Sequence, residues 1–158
     1  LHTKTLMYRD RGAWDALLGR LSRSVAVYLN AQIAAAEDAI AHFNRGEALT
    51  RLERYEEAVA AFDQARRLGL HWRRLWYQFT PFEAYYAVGR YQDVLELTQA
   101  TIRGAGGLEE AYYYHGLALQ ASGQAGAAED FEAALSYNPN FTQAAEALRA
   151  LETETHQN

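Results

Sequence analysis

Thirty residues, Ala41 to Leu70, limit what this chain can fold into more than any other stretch: AHFNRGEALTRLERYEEAVAAFDQARRLGL. Apolar residues recur there every three or four positions, in two runs. The first run holds Phe43, Gly46, Ala48 and Leu49; the second holds Tyr55, Ala58, Val59, Phe62, Ala65 and Leu68. A polar turn near Glu53 and Arg54 separates them, so the stretch predicts two helices folded into a hairpin. Its small residues set the helix separation. Gly46 and Ala48 let the facing helix come close where Ala58 and Ala65 present little bulk, and Phe62 fills the remaining gap.

The pattern returns along the chain. Phe43, Ala48, Leu49 and Tyr55 are matched 36 residues later by Phe79, Ala84, Tyr85 and Tyr91. A further 34 residues on, Phe79, Ala84 and Tyr85 are matched by Tyr113, Ala118 and Leu119. Upstream, Gly12 stands 34 residues before Gly46, and Ser24, Tyr28 and Ala31 the same distance before Ala58, Phe62 and Ala65. A degenerate first copy is therefore expected, with Trp14, Leu17, Leu18 and Leu21 on one helix and, after a break at Ser22, Val25, Tyr28, Leu29 and Ile33 on the next. Gly69, the Gly104 to Gly107 loop and Asn138-Pro139 supply the breaks between hairpins. Phe141 to Leu151 reads as a terminal amphipathic helix, with Ala144, Ala145, Leu148 and Leu151 inward, closing an otherwise exposed core.

A two-helix unit of about 34 residues with Gly, Ala, Tyr, Ala, Phe and Ala at these offsets resembles the tetratricopeptide repeat. Residues 39–72 fit that pattern best. The third copy keeps Tyr112, Gly116, Ala118, Gly123, Ala127, Phe131, Ala134 and Pro139, one residue short between Gly116 and Pro139. The second copy departs most, with Phe82 where a glycine is usual and Thr98 and Thr101 where an aromatic and an alanine are usual. The resemblance implies an all-α, right-handed α-α superhelix in a single helical-repeat domain, residues 1–158. It divides into a degenerate N-terminal hairpin (1–38), a repeat (39–72), a divergent repeat (73–108), a repeat (109–139), a capping helix (140–152) and a tail (153–158). The run WRRLWYQFTPFEAYYAVGRY, Trp72 to Tyr91, with the preceding FDQARRLGL, is similar to repeat segments that follow papain-like, bacteriocin-leader-type peptidase domains in some bacterial proteins. That similarity implies a neighbouring domain and a bacterial chain, either cytoplasmic or exported as part of something larger.

Composition narrows the chemistry. The 158 residues are 49% hydrophobic with only two prolines, Pro81 and Pro139, which favours helices and a buried core over disorder. The formal charge of -5 and the scattered basic residues argue against nucleic acid as partner. No apolar run reaches the length of a membrane span. With zero cysteines there is no thiol nucleophile, disulfide or cysteine-ligated zinc. The histidines His2, His42, His71, His115 and His156 form no i, i+4 pair, the serines lack a nucleophile-elbow frame, and Gly104 to Gly107 precedes no P-loop lysine. No enzyme activity, metal or cofactor is expected. A start at Leu1 reads as an excised or processed segment of a longer chain.

In stacked hairpins of this kind the first helices line the concave side. The candidate peptide-binding residues are Phe43 and Glu47, then Trp76, Phe79, Glu83 and Tyr86, then Glu110, Tyr113, Leu117 and Gln120. This aromatic and acidic wall suits a peptide or protein bearing apolar anchors and a Lys or Arg. The Asn and Lys set that related repeats use to grip a terminal carboxylate is missing, Asn44 aside. The same aromatics would equally serve as core against the second helices. Pro81 predicts either a kink or a restart at Thr80, with Thr80 as N-cap and Glu83 reaching back. Two other roles fit the residues: an accessory domain that orients substrate for a larger peptidase, and homo-oligomeric self-association through the first hairpin or the Trp72 to Phe79 segment.

Overall fold

A computed structural model describes residues 11–33, 38–70, 79–105 and 108–155. Among them are eight α-helices and no strand: α1 (Arg11–Ile33), α2 (Ala39–Thr50), α3 (Tyr55–Arg67), α4 (Thr80–Ala87), α5 (Tyr91–Ala105), α6 (Glu109–Ala121), α7 (Ala127–Tyr137) and α8 (Thr142–Thr155). The chain divides into two compact units, Leu1–Leu70 and His71–Asn158. In the first, α2 and α3 form a hairpin with α1 packed on α2. In the second, α4 pairs with α5, α6 with α7, and α8 closes against α7. The all-α helical-repeat architecture is the expected one.

The start differs from expectation. Residues Arg11 to Ile33 form one unbroken helix with no turn at Ser22. Ser22, Arg23 and Ser24 cost a helix only fractions of a kcal/mol each relative to alanine, and neither glycine nor proline stands among them. The apolar period runs straight through. Ala26 and Leu29 are buried; the arm Leu1–Asp10 lies outside the described residues.

The hairpin turns are built alike. Helix α2 begins at Asp38, whose carboxylate accepts from the Ile40 N–H at 2.9 Å. Its end is a left-handed residue, Glu53 at φ 57°, with the Arg54 N–H returning to the Leu49 carbonyl at 3.0 Å. Gly89 (φ 75°) and Gly123 (φ 68°) occupy the same place in the next two hairpins, with Arg90 N–H to Tyr85 O and Gln124 N–H to Leu119 O, both 2.9 Å. Glutamate therefore carries a conformation its neighbours assign to glycine. Glu53→Gly removes a left-handed penalty of roughly 1–2 kcal/mol, offset in part by the greater freedom of an unfolded glycine. A net gain of about 0.5–1 kcal/mol in chemical denaturation is the expected outcome.

The core is set by one recurring exchange of volume. Gly46 on α2 lies under the ring of Phe62 on α3, and Gly116 on α6 lies under Phe131 on α7. Both phenylalanines are fully buried. In the second repeat the sizes are reversed: Phe82 stands at the glycine position and Thr98 at the phenylalanine position, each at 0% exposure. The ring-to-ring contact survives the reversal. Phe43 meets Phe62 at 5.6 Å and Tyr113 meets Phe131 at 6.1 Å, whereas the equivalent Phe79 meets Phe82, on its own helix, at 6.0 Å. Thr98 and Thr101 donate to the carbonyls of Val94 and Leu97 at 2.7 and 2.9 Å, so neither hydroxyl is orphaned.

Helix α4 starts at Thr80 with Pro81 in its first turn, where a missing N–H costs nothing. Of the two expectations for Pro81, the described residues show a helix start. The cap differs: Phe79, left-handed at φ 57°, ψ -9°, is the N-cap residue, and the Thr80 hydroxyl is buried with no hydrogen-bond partner among the described residues. Tyr77, where a kink would register, lies outside them.

Candidate functional site

Helices α4, α6 and α8 of the second unit carry the aromatic and acidic side chains that bear on the expected wall. On α4, Glu83 and Tyr86 are one turn apart; on α6, Glu110, Tyr113 and Leu117 follow at steps of three and four, which keeps them on one face. Helix α6 packs against both α4 and α8. All five side chains are half-buried, as is Phe79 at the head of α4.

Tyr113 is the centre of the arrangement. Its ring lies 5.3 Å from Tyr114, 6.1 Å from Phe131 and 5.2 Å from Phe141, the last two edge-on or tilted. Burial pushes its phenol up from the ordinary value, and proximity to the Tyr86 phenol and then to the Glu146 carboxylate pushes it the same way. Tyr86, 5.5 Å ring to ring from Tyr91, is raised by burial and then by Tyr91. Both phenols thus remain protonated hydrogen-bond donors throughout the neutral range. Burial also raises the Glu110 carboxyl, opposed by a backbone hydrogen bond and aided by the neighbouring Glu109 charge.

Other candidates fall elsewhere. Phe43, at 4% exposure, fills the core against Phe62 and offers nothing to a wall. Glu47, at 7%, is buried on α2. Both belong to the first unit, and Trp76 lies outside the described residues. Glu146 and Phe141, which the structure brings near Tyr113, are not among the residues expected from the sequence. The third repeat is one residue short, so a step of 33 rather than 34 carries Tyr113 to Glu146, and equally carries Ala111 to Ala144, both fully buried. That step was the available signal.

Behind this face the α6–α7 hairpin is tied by His115 Nδ1 and Asp130 Oδ2 at 2.6 Å, both side chains largely buried. Tyr112 stacks on Tyr137 at 5.6 Å and 19°, and Asn138 donates to Glu109 at 3.4 Å. These contacts fix the helix that presents Tyr113. Among the described residues no helix is long and apolar enough to cross a membrane, and no three His, Asp or Glu side chains gather as metal ligands.

Comparison with known proteins finds similarity over part of the chain. The tetratricopeptide repeat family model matches residues 39–69, ending short of the Trp72 to Tyr91 run. A protein of Chromohalobacter salexigens named uroporphyrinogen decarboxylase is 41% identical over 61 residues, which are 39% of this chain and 17% of that protein. The chain thus spans less than a fifth of that relative. No solved structure matches the chain. Residues 39–69, with Gly46 under Phe62 and a backbone-closed turn between two short helices, are the part of this all-α helical-repeat chain that is similar to the tetratricopeptide repeat.

Proposed function

We propose that the chain is a non-catalytic scaffold that binds a protein or peptide, and that its recognition face is the α4–α6–α8 surface of Phe79, Glu83, Tyr86, Glu110, Tyr113 and Leu117, extended by Phe141 and Glu146. The observation that carries this reading is that Tyr113 packs on Phe141 of α8 and lies within electrostatic reach of Tyr86 on α4 and Glu146 on α8. Protonated phenols donate to backbone carbonyls, ring faces accept aliphatic or cationic side chains, and the carboxylates favour Lys or Arg. A basic peptide with apolar anchors satisfies all three.

Glu110 separates binding from folding. Its raised carboxyl means that the folded state disfavours the charge, so its stabilising contribution is present below the unfolded carboxylate range and lost as pH rises through the folded value. Glu110→Gln is therefore expected to raise the melting temperature slightly at pH 7, with the gain vanishing under acid. The same substitution should weaken binding of a Lys/Arg- and Leu/Phe-bearing peptide set severalfold, an effect that shrinks at high salt. Equal binding of that set and of a set with Glu in place of Lys and Arg would overturn the reading.

A further inference from the structure

Helix α1 buries little of its circumference. Ala26 and Leu29 face inward at 6% and 7% exposure, while Leu18, Leu21 and Val25 are 41%, 53% and 47% exposed and Tyr28 is 62% exposed. The residues Trp14, Leu18, Leu21, Val25 and Tyr28 follow at steps of four, three, four and three. That alternation keeps apolar side chains on a seam facing a second helix, with Leu18 and Val25 in one class of core position and Trp14, Leu21 and Tyr28 in the other. Because α1 runs unbroken through Ser22, the seam is continuous. A cleft of about 250 Å³ lined by Leu18, Leu21, Ser22, Val25, Ala48 and Arg51 opens beside it and gives an incoming side chain a hole to enter.

We propose that this seam is a homodimer interface, in which the α1 helices of two copies of the chain pack antiparallel about a two-fold axis. A two-fold contact brings each residue near its own counterpart or a close neighbour, so charge in the seam would repel. Along α1 the middle of this seam carries no charge: Leu17, Ser22 and Ser24 flank it, Arg20 and Arg23 stand at positions turned away from a facing helix, and the charge beside it is Arg51 of α2 in the cleft. It is also self-complementary. Antiparallel pairing of the two position classes sets Leu21 against Val25 of the partner subunit and Leu18 against Tyr28 of the partner subunit, and symmetry repeats both contacts. Four apolar layers result from two kinds of contact. A pairing this short is marginal for free peptides, but α1 is already held helical by its packing on α2, so association bears no nucleation cost. The inference rests on the first unit alone and stands or falls independently of the α4–α6–α8 face.

Light scattering on the full chain over a concentration series tests it. The mass is expected to rise from one copy to two with concentration, and Leu21→Glu and Val25→Lys should each leave a monomer with unchanged helical circular dichroism. Mixing those two variants should restore a dimer, since the new carboxylate then faces the new ammonium. A wild-type chain that stays monomeric at every concentration overturns the proposal, whatever else covers the seam. So does a dimer whose mass Leu21→Glu does not reduce.

Discussion

Gly46→Ala is expected to destabilise the first unit by about 2–3 kcal/mol, against the gain of roughly 1 kcal/mol that replacing glycine by alanine brings to an ordinary helix interior. A β-carbon at position 46 would sit 2.6 Å from Cδ1 and 2.8 Å from Cζ of Phe62, and closer still to Cε1. Flexible neighbours absorb such an intrusion; this one cannot. Phe62 has no exposed surface to retreat toward and is backed by Phe43. Either α2 and α3 separate, loosening Ala48, Ala58 and Ala65 as well, or the ring leaves its rotamer. Urea denaturation would give the loss. Combining Gly46→Ala with Phe62→Leu should return part of it, because leucine vacates the space the new methyl needs. A Gly46→Ala chain as stable as the parent would mean that the two helices are not held by this contact.

The second large effect is at Phe82. Truncation to alanine should cost about 3–5 kcal/mol, the usual loss for a fully buried phenylalanine, since the cavity would open between α4 and α5 and beside the Phe79 and Tyr114 rings. The pair is more informative than the single change. Thr98→Phe alone overpacks a filled site, whereas Phe82→Gly with Thr98→Phe rebuilds the arrangement that the other two hairpins use. The double variant should therefore lose less than the sum of the singles, with a coupling of more than about 1 kcal/mol. Strict additivity in the cycle would show that the two positions do not share one volume.

The hairpin at 39–70 was legible in the sequence because its small and large residues stand at distances that only two close helices satisfy. The turn near Glu53 and Arg54 was legible as well, from the polar residues between the two apolar runs. What was not legible follows from compensation. Phe82 and Thr98 each depart from the repeat, and the large residue on the first helix accompanies a smaller one on the second, a pairing that a position-by-position comparison cannot see. Phe43 was expected on a binding wall and lies in the core, because the offset that identifies it with Tyr113 does not say how far the facing ring reaches over it. At Ser22 a turn was inferred from an expected repeat where no residue demanded one. The Thr80 cap failed because Phe79 adopts a left-handed conformation that sequence would assign to glycine or asparagine. For the proposed face, helical spacing groups the α4 and α6 residues, while the one-residue shortening of the third repeat hides the step from Tyr113 to Glu146.

The reversed pair at 82 and 98 also sets a size mismatch against the helices of the other hairpins. Similar hairpins strung along one polypeptide can exchange partners, and repeat proteins are prone to such misassembly. Here an exchange is penalised in both directions. A helix carrying glycine at this position, α2 or α6, docked on α5 would face Thr98 and leave a void; α4, carrying Phe82, docked on α3 or α7 would drive one phenylalanine into another. A middle hairpin of this kind would favour its own pairing over its neighbours' helices.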